Sequence, residues 1–184
     1  MVDVVLSSGF LAFARHVGFL DAVEASGVQV DGVCGTSSGA LVGALWAAGM
    51  SAEDIARELS SRRPLSLIAL NPAPWRGVAS IRPALEHLRG LVPARFEDLE
   101  RPFGVGVRAP DGRHQVLSSG ALAEAAAASC AIPWLFAPIE VDGVRYQDGG
   151  AVDRLGLAAW RRLRPDAGTL WVHEVERSAG RTIE

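Results

Sequence analysis

Lysine is absent from this 184-residue chain, so its 18 basic side chains are all arginine. Set against 21 acidic residues, they leave a formal net charge of −3. No basic block is longer than a pair, as at Arg62-Arg63 and Arg161-Arg162. That spread excludes a basic tract for nucleic acid. Cysteine is scarce too: Cys34 and Cys130 make no disulfide framework and read as buried thiols. No His/Cys/Asp cluster has metal-ligand spacing, so neither a metal nor a cofactor is expected. Long apolar runs are missing. The longest, Ala40 to Met50, is interrupted by glycines and falls well short of the ~20 residues a bilayer requires, so no transmembrane segment is expected. Asp3 sits directly behind the start, and Val4-Val5-Leu6 is too short for the apolar core of a secretory signal. The expectation is a cytoplasmic protein. Apolar residues nevertheless make up 49 % of the chain, enough for one domain with a sizeable core.

Gly35-Thr36-Ser37-Ser38-Gly39 organises what is present. The apolar run Val28 to Cys34 before it reads as a buried strand, and Ala40 to Ala48 after it as a helix. A G-x-S-x-G pattern on a strand-to-helix turn is a nucleophile elbow, with Gly35 and Gly39 allowing the sharp bend and Ser37 exposed at its tip. The plainer reading is a serine-capped helix start. Upstream, Val2 to Leu6 reads as a first strand, Ser7-Ser8-Gly9 as a turn, and Phe10, Phe13, Val17, Leu20 and Val23 as one face of a helix. Two strand–helix units in succession predict an α/β fold with a mainly parallel sheet. Further helices are expected from Ala52 to about Ser61, Ser80 to Leu91, Ala121 to Ser129 and Leu155 to Leu163. Hairpins are expected around Asp111-Gly112 and Asp142-Gly143, with a late strand over Thr169 to Val175. Without repeats or linkers, residues 1–184 read as a single domain whose tail from 176 is loose.

A serine hydroxyl needs a base and donors for an oxyanion. The histidines, His16, His87, His114 and His173, are expected in helices or strands, with His87 on an exposed helix face; none is expected on a loop beside the elbow. Asp148 is the stronger partner, because it ends a strand and is followed by Gly149 and Gly150, which let it stand close to a neighbour. The alternative is a turn aspartate bonding its own backbone. As a base it needs an apolar site that weakens its charged form. The main-chain N–H groups of Ser8, Gly9 and Phe10, at the first strand-to-helix turn, are the candidate oxyanion donors.

These segments together resemble the patatin-like phospholipase family. Leu6 to Gly9 through Leu20 is similar to its first strand, glycine-rich loop and helix. Gly35 to Gly39 matches its elbow, and Ala128 to Pro133 with Tyr146-Gln147-Asp148-Gly149-Gly150 resembles its aspartate region. The resemblance implies a three-layer α/β/α fold and a Ser–Asp dyad without histidine, Ser37 as nucleophile and Asp148 as base, acting on acyl esters of lipids. The loop departs from the family's G-G-G-x-R/K-G: here it reads Ser8-Gly9-Phe10-Leu11-Ala12-Phe13, with Ala12 in place of the cation. Phe10 and Leu11 are candidates to line an acyl pocket, or else to pack in the core. Asp153 reads as a cap for the helix that follows.

The favoured expectation is a lipid acyl hydrolase working through an acyl-enzyme. A non-catalytic relative that binds lipid or protein, and a soluble esterase or thioesterase for small acyl substrates, are the alternatives. The apolar, proline-rich stretch from Pro64 to Ser80, with Trp75, is a candidate for peripheral contact with a membrane surface or an irregular connection packed on the core.

Overall fold

The computed structural model describes residues 1–61, 68–71 and 77–176. Four parallel strands make the centre of its main sheet: β1 (Val2–Leu6), β2 (Gly32–Thr36), β5 (Phe103–Arg108) and β9 (Thr169–His173), in the order β5-β2-β1-β9. The antiparallel strands β6 (His114–Leu117), β7 (Ile139–Val141) and β8 (Val144–Asp148) extend it beyond β5. A separate two-stranded ribbon joins β3 (Ala69–Leu70) to β4 (Ala79–Ser80). The helices are α1 (Phe13–Ala25), α2 (Ser38–Ala47), α3 (Ala52–Ser61), α4 (Arg82–Arg89), α5 (Leu122–Ser129) and α6 (Leu157–Leu163).

Side chains of a strand alternate between its faces, and the two faces here meet different helices. Val4, Leu6, Val33 and Val105 join one cluster with Leu20 of α1, Leu45 of α2 and Leu122 of α5. Val5 and Cys34 point the other way, into a smaller cluster around Trp160 of α6. The result is the expected α/β/α arrangement, mostly parallel, with unequal helical layers. α2 lies between α1 and α5 and is buried at every position but Leu41, as an apolar helix with no polar stripe must be.

Register explains how distant residues reach the elbow. β2 pairs with β5 from Val33↔Phe103 to Thr36↔Gly106 and stops. β8 continues on the same β5 edge at Val107↔Asp148, because β6 already occupies the opposite edge along Val105 to Arg108. The end of β8 therefore abuts the end of β2, where the chain turns into α2.

Two element starts and the setting of one histidine are notable departures from the sequence reading. α1 begins at Phe13 rather than near Phe10, because Leu11 takes φ 52°, a left-handed value that a right-handed helix cannot contain. Phe10 and Leu11 stand exposed in that turn. β2 begins at Gly32 rather than Val28: the Asp31 carboxylate accepts the Val2 N–H at 2.8 Å, taking a ladder position that a preceding strand residue would use. His87 is half-buried rather than exposed, its Nε2 2.7 Å from the Glu58 carboxylate. Residues 64–67 and 72–76 of the candidate membrane stretch, Trp75 included, lie outside the described residues, as does the tail beyond residue 176.

Candidate active site

Ser37 occupies the turn between β2 and α2 with φ 55° and ψ −120°, a conformation that costs a non-glycine residue of order 1–3 kcal/mol. The flanking glycines make the turn possible by leaving no room for anything else. A Cβ on Gly35 would collide with the carbonyl of Gly39, and one on Gly39 with the carbonyl of Leu6, both well under 3.0 Å. The bend is held by Ser129 at the end of α5. Its hydroxyl accepts the Ser37 N–H at 2.7 Å and donates to the Gly106 carbonyl at 2.6 Å, with Ser129 wholly buried.

The Ser37 hydroxyl donates to Asp148 Oδ2 at 2.8 Å, across 111 residues of sequence. The other carboxylate oxygen, Oδ1, accepts the Gly150 N–H at 2.7 Å. Asp148 is only 5 % exposed, and this burial holds its carboxyl above the ordinary carboxylate range, against the opposing pull of the Ser37 hydroxyl and the Gly150 N–H. Gly149 and Gly150 serve close approach: a side chain on the first would strike the Gly106 carbonyl, and on the second Ser8.

No imidazole bonds to either residue of this pair among the described residues. His16 and His173 instead meet each other, Nδ1 to Nδ1 at 2.9 Å, and His87 meets Glu58. The thiols are inert as nucleophiles, since burial pushes both Cys34 and Cys130 well above the usual thiol range. Cys130 Sγ lies 3.3 Å from the Ser37 carbonyl and donates to it. Asp153 Oδ1 accepts from Leu155 and Gly156, each at 3.0 Å, capping the turn that leads into α6.

Two sets of main-chain N–H groups face the same sheet end. Those of Ser38 and Gly39, at the start of α2, have no acceptor among the described residues, and neither do those of Gly9 and Phe10 in the β1–α1 turn. The Ser8 N–H differs: it is already committed to the Arg154 carbonyl at 2.8 Å. The sequence reading gives Ser38, Ser129 and Arg154 no role in the site. Ser38 carries a usable signal, because the residue after an elbow serine regularly supplies an oxyanion donor. A groove of about 1490 Å³ opens beside β8, lined in part by Gln147, Ala151, Trp134, Leu70 and Arg108.

Comparison with known proteins gives the family. The model of the patatin-like phospholipase family matches residues 4–159, and the chain belongs to that family. Among curated relatives, an uncharacterized NTE family protein of Mycobacterium tuberculosis is 35 % identical over 162 residues, covering 85 % of this chain and 44 % of its own length. The lysophospholipase NTE1 of Pyricularia oryzae is 29 % identical over 178 residues, covering 90 % of this chain and 11 % of that protein. The neuropathy target esterase sws of Drosophila melanogaster is 47 % identical over 45 residues, 24 % of this chain and 3 % of that protein. The chain thus spans less than half the length of these relatives. The family takes its name from lipid hydrolysis by phospholipases.

Proposed function

We propose that the chain cleaves acyl ester bonds of lipids through a Ser37–Asp148 dyad. The observation that carries this reading is the 2.8 Å hydrogen bond from a strained, glycine-walled serine to a buried carboxylate. Ser37 Oγ attacks the ester carbonyl carbon as its proton passes to Asp148 Oδ2. The oxyanion forms against main-chain N–H groups of Gly9, Phe10 and Ser38. The tetrahedral adduct collapses, and the protonated Asp148 returns the proton to the leaving alcohol, leaving an acyl ester on Ser37. Asp148 then takes a proton from water, hydroxide attacks the acyl carbonyl, and the proton goes back to Ser37 as the acid departs. Burial suits Asp148 to this work, since a carboxylate at its ordinary pKa is a weak base.

The test is labelling with a serine-directed fluorophosphonate. The wild type labels, Ser37→Ala does not, and Asp148→Asn labels at least about 100-fold more slowly. A folded wild type that fails to label favours the binding-module alternative. Because the ionised carboxylate is the active form and its pKa is raised, activity falls as pH drops, with a midpoint above the ordinary 3.8.

A peripheral contact with a lipid surface accompanies this reading. Phe10, Leu11 and Trp134 are 79 %, 58 % and 92 % exposed, on turns flanking the dyad. Co-sedimentation with phosphatidylcholine vesicles checks it: Trp134→Ala binds about threefold more weakly. Equal binding by the two proteins removes Trp134 from the contact.

A further inference from the structure

The segment that follows the dyad carboxylate grips the β1–α1 turn, and a single residue does it twice. The Arg154 carbonyl accepts the Ser8 N–H at 2.8 Å, while its Nη2 donates to the Ser8 carbonyl at 2.9 Å. The same nitrogen donates to the Val175 carbonyl, and Nη1 faces Glu174 Oε1 at 3.5 Å. Val175 in turn donates its N–H to Ser7 Oγ at 2.9 Å. Ser8 is thereby fixed at both of its main-chain polar groups.

This has a consequence one bond further on. In a planar trans peptide the C=O of one residue and the N–H of the next point in opposite directions. Anchoring the Ser8 carbonyl on the guanidinium therefore aims the Gly9 N–H the other way. That N–H has no acceptor among the described residues. A cation on the carbonyl also polarises the amide and makes its N–H a stronger donor. We infer that Arg154 is a positioning residue for the oxyanion site, orienting and strengthening the Gly9 N–H. The inference rests on the proposed dyad. The loop itself carries the buried Ala12 where the family pattern has a cation, and the guanidinium that reaches the turn comes from Arg154.

The experiment measures hydrolysis of a p-nitrophenyl acyl ester, and inhibition by a trifluoromethyl ketone, in wild type, Arg154→Met, Arg154→Lys and Ser37→Ala. The ketone's serine adduct carries an oxyanion, so its affinity reports the donor and not the fold. Arg154→Met is expected to lose about 10- to 100-fold in kcat. KM stays within about twofold, because the lost interaction belongs to the transition state. Ketone affinity falls in parallel, and Arg154→Lys recovers a large part of both. A folded Arg154→Met with unchanged kcat, or with a lower kcat at unchanged ketone affinity, overturns the inference. If Arg154→Met does not fold, Arg154→Gln, which keeps a donor without the charge, is read by the same two outcomes. An active Ser37→Ala takes down the dyad and this inference together. An inactive Ser37→Ala beside a fully active Arg154→Met removes the role of Arg154 alone.

Discussion

The two strand-to-helix turns at this end of the sheet are built on opposite plans. The β2–α2 turn is determined chiefly by backbone packing. Gly35 lies against the Gly39 carbonyl, and Gly39 against that of Leu6, so backbone touches backbone and only one path fits. The β1–α1 turn is determined from outside. Its residues Phe10 and Leu11 stand in solvent, and Ser7 and Ser8 are tied to Val175, His173 and Arg154, all more than a hundred residues away in sequence. In the reaction proposed above, the first turn carries the nucleophile and the second supplies donors for the developing charge. A nucleophile must not move, whereas a donor loop has only to be held in position, and long-range ties suffice for that.

The largest test of this contrast puts a methyl group on each turn. On Gly39 the new Cβ meets main-chain atoms of Leu6 that cannot retreat without shifting β1. Gly39→Ala is expected to cost more than about 4 kcal/mol and to abolish activity. On Gly9 the Cβ meets side-chain carbons, Ala12 at 2.8 Å and Val175 at 3.2 Å, in a turn with an exposed flank. Gly9→Ala is expected to cost about 1–2 kcal/mol. Urea denaturation of both variants gives the order. Equal losses would mean that the β1–α1 turn is as rigid as the elbow.

Acid should also separate the two turns. His16 and His173 pack beneath the β1–α1 turn, where the His173 carbonyl accepts the Ser7 N–H at 3.1 Å. Burial, and then the neighbouring His173, lower the His16 pKa from 6.5 to about 4, while burial and the charge of Arg15 lower that of His173. A His whose folded pKa is depressed is protonated first in the unfolded chain. Its contribution is therefore complete above pH 6.5 and is lost as pH falls toward 4, by about 3 kcal/mol at pH 4. Denaturation curves between pH 7 and pH 4 measure the loss, and His16→Gln flattens it. Amide exchange is expected to rise first at Ser7, not at Ser37. Earlier loosening at Ser37 would contradict the contrast.

The same contrast decides how much was legible in the sequence. The elbow is a local pattern, and its glycines and serine announce the turn that they make. The α/β class follows from two strand–helix units in succession, and Asp148 stands out because two glycines follow a strand end. The start of α1 misled, because apolar spacing runs on through Phe10 while the break is a backbone angle at Leu11 that periodicity does not register. Nothing local in the sequence announces the contacts of Ser129 and Arg154. Each is a single polar residue whose partners are set by which strands pair, and that is a property of the topology.

The smallest test falls on a place where the elbow depends on something distant. Ser129 satisfies two buried main-chain groups with one hydroxyl, the Ser37 N–H and the Gly106 carbonyl. Ser129→Ala removes the side-chain partner of both where no water reaches, since Ser129 is wholly buried. One such group costs about 1–3 kcal/mol; the two share one small side chain, and about 2 kcal/mol is expected. The geometry of Ser37 already sits at a disfavoured φ of 55°. Freed of its N–H anchor, the residue relaxes, and kcat is expected to fall about tenfold with KM little changed. If the glycine walls alone hold the turn, stability drops and kcat does not. That result would assign the shape of the elbow to its backbone contacts and leave Ser129 a stabilising role alone.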